Sequence, residues 1–133
     1  MSLDIAWNKV KDFHKTFSLP LSDSPCILDS KRVASRYKWM LEELDEFKEA
    51  TTLTEQADAM IDLIYYALGT MVEMGVEPNE IFELVHEANM KKKWDDGLVY
   101  FNDDEKVIKS QNWISPNNEI SKIINEQLKE SKK

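Results

Sequence analysis

Ala57-Asp58-Ala59-Met60-Ile61-Asp62-Leu63-Ile64-Tyr65-Tyr66-Ala67-Leu68 is the stretch on which the fold turns. Its apolar character continues through Met71 and Val72, and Gly75 then supplies a stop. Just upstream, Thr52-Leu53-Thr54-Glu55 has the form of a capping box, so the spacing predicts one helix from Thr52 to about Met74. Little of its circumference is polar. A helix apolar nearly all round is covered on most sides, by its own domain or by a second subunit. Asp62 lies within that surface, where an isolated carboxylate costs on the order of several kcal/mol unless it is paired or bound to metal.

Working outward, Val33, Tyr37, Met40, Leu44 and Phe47 recur at three or four, which predicts a preceding helix capped by Asp29 or Ser30 and running to about Thr51. Ser18 to Ser30, with Pro20 and Pro25, reads as a loop. Ile5, Trp7, Val10, Phe13 and Phe17 give a first helix over Leu3 to Phe17. On the other side, Pro78 at a first-turn position opens a fourth helix to about Lys93. Two β-prone runs, Leu98 to Phe101 and Lys106 to Lys109, flank Asn102-Asp103-Asp104-Glu105 and predict a small hairpin without a turn glycine. A last helix from Pro116 to Leu128 precedes a lysine-rich tail expected to fray. The fold expected is all-α: one domain over residues 1–133, a bundle of four to five helices with a small C-terminal β-hairpin. It is expected to assemble as a dimer or a dimer of dimers, because the third helix has more apolar surface than one layer of partners covers.

Composition narrows the function. The 133 residues carry 17 basic against 25 acidic side chains, a net charge of -8. That balance argues against a general nucleic-acid or anionic-membrane binder, but not against phosphate ligands held through a cation. Cys26 is the only cysteine and cannot form an internal disulfide, which fits a reducing cytoplasm. The opening residues carry no basic, apolar, cleavable pattern. The apolar stretch at residues 60 to 74 is broken by Asp62 and Glu73 and is too short to span a bilayer.

The residues that carry chemistry are acids at helical spacing. Helix two has Glu42, Glu43 and Glu46; helix three has Glu55, Asp58 and Asp62 on one face. If two antiparallel helices turn at Thr52, Glu46 and Asp58 stand at one height, and Glu42 and Asp62 at another with Glu43 beside them. Like charges so gathered repel and raise one another's pKa values. A divalent cation removes the conflict, and an all-oxygen set without His or Cys suits Mg²⁺ or Mn²⁺.

Glu43-Leu44-Asp45-Glu46 followed by an acidic, apolar helix resembles the ExxE…ExxD signature of the all-α nucleotide pyrophosphohydrolases, which include MazG-like proteins, dimeric dUTPases and phosphoribosyl-ATP pyrophosphohydrolases. The likeness is nearest to the phosphoribosyl-ATP pyrophosphohydrolase branch. Arg36, the run from Ala57 to Thr70, Val85 to Lys92, and Lys106 to Lys109 extend it over most of the chain. The resemblance implies Mg²⁺-dependent cleavage of the α–β phosphate bond of a nucleoside triphosphate or related nucleotide, giving a monophosphate and pyrophosphate. On this reading Glu43, Glu46, Asp58 and Asp62 are the metal ligands, and Glu42, Glu43 and Glu46 the catalytic acids, with Glu42 or Glu46 as base toward a water. Arg36, Asn89, Lys92 and Lys109 are the implied substrate-binding residues. The chain departs from the pattern at Ala59, where the family's second motif has Glu; Asp58 or Glu55 stands in. That departure keeps a second reading open, a catalytically inert helical dimer that serves as a nucleotide-binding or regulatory module.

Overall fold

The computed structural model describes residues 2–131. Five helices, α1 (Leu3–Thr16), α2 (Ser30–Glu49), α3 (Leu53–Met74), α4 (Asn79–Met90) and α5 (Asn117–Ser131), carry the fold. A two-residue pair of strands, β1 (Tyr100–Phe101) and β2 (Val107–Ile108), separates α4 from α5. The chain is thus an all-α bundle with a small hairpin, as its periodicity predicts. No described helix is long and apolar enough to cross a membrane.

Local chemistry fixes the helix ends. Asp29 caps α2, accepting from Arg32 N at 2.9 Å. Thr52 caps α3, accepting from Glu55 N at 3.1 Å, while the Glu55 carboxylate accepts from Thr52 Oγ1 at 2.9 Å. Gly75 closes α3 at φ +68°, and a Cβ there would collide with the Ser24 backbone carbonyl. Pro78 stands one residue ahead of α4, and Lys91 to Lys93 fall in the turn beyond it, so α4 is shorter than its sequence suggests. Helix α5 runs three residues past Leu128, and the rest of the lysine tail, residues 132 and 133, lies outside the described residues. The hairpin manages without a turn glycine because Asn102 Oδ1 accepts from both Asp104 N and Lys106 N at 2.9 Å, with Glu105 at φ +63°.

Trp7 and Val10 of α1 meet Leu68 and Val72 of α3 in the buried core, with Leu3, Ala6, Leu21 and Met71 packed around them. Asn79 and Asp4 cap each other's helices, Leu3 N donating to Asn79 Oδ1 (3.0 Å) and Asn79 N to Asp4 Oδ1 (2.9 Å), which joins α4 to α1. Helix α2 lies along α3, and α5 packs on α4; among the described residues neither α4 nor α5 packs on α2 or α3. Val33, Tyr37, Leu41, Leu44 and Phe47 of α2, with Ile61 and Ile64 of α3, remain exposed. One chain therefore covers only part of the apolar surface of its central helix.

Between the three long helices lies a buried polar group. Glu73, 4% exposed, accepts from Arg32 Nε and Nη2 at 2.8 and 2.9 Å and pairs with Arg36 Nε. Both guanidiniums stack near Trp39, at 5.4 and 5.1 Å from its ring centre. Arg36 Nη2 also lies 3.3 Å from Nε2 of the buried His14, whose Nδ1 lies 2.7 Å from the Pro20 carbonyl oxygen. A carbonyl only accepts and a guanidinium only donates, so the proton sits on Nδ1 and the imidazole is satisfied on both sides. Gly69 makes room: a Cβ there would come within 2.9 Å of Arg36 Nη1 and 3.1 Å of His14 Nε2.

Candidate metal centre

The antiparallel register of α2 and α3 explains which acids meet. Arg32 bonds Glu73, Arg36 lies over Gly69, and Trp39 faces Tyr66 at 6.1 Å. Each pair is equally far from the Thr52–Leu53 peptide bond. The next pair in that register is Glu43 with Asp62, and the next is Glu46 with Ala59. The centre of the turn is thus shifted half a residue from Thr52. That shift brings Glu43, rather than Glu42, opposite Asp62.

One carboxylate oxygen from each of Glu43, Glu46 and Asp62 lies within 4.8 Å of the other two. Glu43 is 9% exposed, and its Oε2 has no hydrogen-bond partner. None of the three forms an ion pair among the described residues. Burial first, then a hydrogen bond with Glu46 and the charges of Glu46, Asp62 and Asp58, push the Glu43 carboxyl up to about 7. Asp62 is raised as well, by burial and then by Asp58 and Glu46. A buried orphan oxygen surrounded by like charge, with no ion-pair partner among the described residues, fits a divalent cation bound by oxygen ligands.

The remaining predicted residues are dispersed. Asp58 is exposed and acts on Glu43 and Asp62 through its charge, but no ligand atom of it joins the 4.8 Å group. With Glu46, Glu49, Ala50 and Glu55 it lines an adjoining cleft of about 330 Å³. The Glu55 carboxylate is engaged by Thr52, and Glu42 is exposed outside the group. Ala59, 2% exposed, leaves the position opposite Glu46 without a fourth carboxylate. Arg36 is committed to Glu73 and His14. Asn89 is exposed near the end of α4, while Lys92 and Lys109 converge on Trp113, at 5.7 and 4.7 Å from its ring centre. The sequence alone points to no functional role for Glu73, His14 or Trp113. Glu73 carried the same signal as Asp62, an acid in an apolar helix, and its register partner Arg32 was there to be paired with it.

Stability of the metal-free protein should depend on pH. Because the folded Glu43 keeps its proton up to about 7, the unfolded chain releases it first, so stability falls as pH rises from about 4.5 to about 7 and then levels. At Glu73 burial raises the pKa, but the hydrogen bonds from Arg32 and Arg36 outweigh it and hold the carboxyl below its ordinary range. Its contribution is present above the unfolded value, about 4.5, and is lost as pH falls through the lower folded value. In chelator, the melting temperature should therefore peak near about pH 4.5 and decline toward neutrality. Glu43→Gln should flatten the neutral side; a decline unchanged in that variant would assign it to other groups.

Facing carboxylates on two helices of an all-α frame are the arrangement that the sequence resemblance implies. A family model, that of phosphoribosyl-ATP pyrophosphohydrolase, matches residues 10–89, more than half of the 133, and the chain belongs to that family. The match begins at Val10 within α1, takes in α2, α3 and all but the last residue of α4, and ends at Asn89, so Lys92, Lys109 and Trp113 lie beyond it. A crystal structure from Exiguobacterium sp. 255-15, described as a candidate NTP pyrophosphohydrolase, is similar over 93% of this chain and 96% of its own. The identity is 29% and the TM-score 0.52. No curated protein matches the chain.

Proposed function

We propose that this protein is a Mg²⁺-dependent pyrophosphohydrolase that cleaves the α–β phosphate bond of a nucleoside triphosphate or a related nucleotide. The observation that carries the reading is Glu43, a buried carboxylate with an unbonded oxygen within reach of Glu46 and Asp62. Those three residues would hold the cation, with Asp58 lining the adjoining cleft. When bound, Mg²⁺ (or Mn²⁺) supplies positive charge for phosphate oxygens and a more acidic water. Water adds at the α-phosphorus, the bond to the bridging oxygen breaks, and pyrophosphate leaves. Glu46, the exposed member of the group, accepts the proton released by the water; Glu42, exposed beside Glu43, is the alternative acceptor.

Asn89, Lys92 and Lys109 supply the charge and hydrogen bonds for the substrate's phosphates. Their part of the chain does not pack on α2 or α3, so on this reading they reach the acids of a second copy. The exposed apolar side chains of α2 and α3 support a homodimer or homotetramer, and light scattering should give at least twice the chain mass. Arg36 aligns α2 on α3 through Glu73. Ala59, opposite Glu46, favours the second reading of a non-catalytic nucleotide-binding module. A panel of nucleotides assayed for pyrophosphate release in Mg²⁺ and in excess chelator separates the two. We expect release from at least one nucleotide in Mg²⁺ and none in chelator. Release that persists in chelator would remove the metal from the reaction, and none from any nucleotide in Mg²⁺ would favour the module.

A further inference from the structure

Trp113 is fixed by its own N–H, which donates to the Ala88 carbonyl at 2.7 Å. Over its ring lie the ammoniums of Lys92, from the turn after α4, and Lys109, from the residue after β2. Neither lysine forms an ion pair among the described residues. Two unpaired cations repel, and in a chain of net charge -8 carboxylates are plentiful as alternative partners. What they share is one indole, whose π system attracts both. An aromatic face also leaves ammonium N–H bonds free for an anion, where a carboxylate would consume them. Trp113 also borders a cavity of about 480 Å³ lined by Lys91, Lys93, Ser110 and Asn112, though not by Lys92 or Lys109. Its carboxylates are Glu87, Asp95 and Glu119, the last paired with Lys122 at 3.3 Å.

We propose that Trp113 is a positioning residue that presents Lys92 and Lys109 together as a clamp for a pyrophosphate group, the part of a nucleotide with the highest charge density. The inference rests on the assignment of those two lysines to substrate phosphate. It adds that their pairing depends on the aromatic face of Trp113. Without the ring, the two flexible side chains separate and must be ordered anew by the ligand.

The test is an NMR titration of the full chain with inorganic pyrophosphate in chelator, where the acidic group contributes no metal-mediated binding. Lys92→Ala and Lys109→Ala should each weaken binding. Trp113→Leu should weaken it about tenfold, the size expected for ordering two freed lysine side chains on binding, while Trp113→Phe, which keeps a π face, should retain most of the affinity. Circular dichroism of each variant establishes that it is folded. If the lysine variants bind as wild type does, or wild type shows no saturable shift, the phosphate assignment fails and the inference with it. If the lysine variants weaken binding but folded Trp113→Leu does not, only the role of Trp113 is overturned. Equal loss in folded Trp113→Leu and Trp113→Phe would also overturn it, because the aromatic face would not be what matters.

Discussion

Asp62→Asn should keep the fold, raise the melting temperature of the metal-free protein and cut pyrophosphate release by about a hundredfold or more. The substitution preserves shape and removes one negative charge from a group whose members raise one another's pKa. In chelator that repulsion is a cost to the fold, so its relief stabilises. In Mg²⁺ the same change removes a ligand, and activity falls. A structural role predicts the reverse. Were Asp62 the partner of a buried cation, the amide would strand that cation and lower stability by about 3 kcal/mol or more. Among the described residues no such partner stands beside Asp62. Thermal unfolding in chelator, alongside turnover in Mg²⁺, distinguishes the two; destabilisation with near-normal turnover would contradict the catalytic reading.

Glu73→Gln should have the opposite character, because Glu73 does have buried partners. Its carboxylate is the counter-charge of both Arg32 and Arg36, and Arg36 is 5% exposed. Neutralising it leaves Arg36 as an uncompensated buried charge, at an expected cost of about 3–5 kcal/mol. For a chain of this size the melting temperature should drop on the order of 10 °C or more. Metal affinity of the molecules still folded should change little, since Glu73 lies at the far end of α3 from Asp62. A melting temperature within about 2 °C of wild type would mean that the ion cluster does not anchor α2 to α3.

Asp62 and Glu73 show how much of the site was legible in the sequence and why the rest was not. Both are acids in an apolar helix, and both had to be satisfied. The sequence could not say which partner each had found, because that depends on register. Reading the turn as centred on Thr52 set Glu42 level with Asp62. The capping of α3 by Thr52, with Leu53 as its first residue, moves the centre by half a residue and selects Glu43. Helix boundaries were legible wherever a local signal marked them: Asp29, the Thr52–Glu55 box and Gly75 all act as their residue types suggest. Arg36 was read through resemblance as a substrate ligand, and a single sequence cannot show the Glu73 carboxylate that engages it across α3. The meeting of Lys92 and Lys109 on Trp113 was hidden for the same reason, since the hairpin has to fold before the two lysines become neighbours.

Divalent-cation binding by Glu43, Glu46 and Asp62 together is the property on which the proposed activity depends. Its most direct test is a Mn²⁺ titration followed by electron paramagnetic resonance, with wild type beside Glu43→Gln. The loss of free Mn²⁺ signal should saturate for wild type, Mg²⁺ should compete it away, and Glu43→Gln should lose that binding while keeping its helical circular dichroism. Wild-type protein that leaves the Mn²⁺ signal unchanged, or a folded Glu43→Gln that binds Mn²⁺ as wild type does, would contradict the claim.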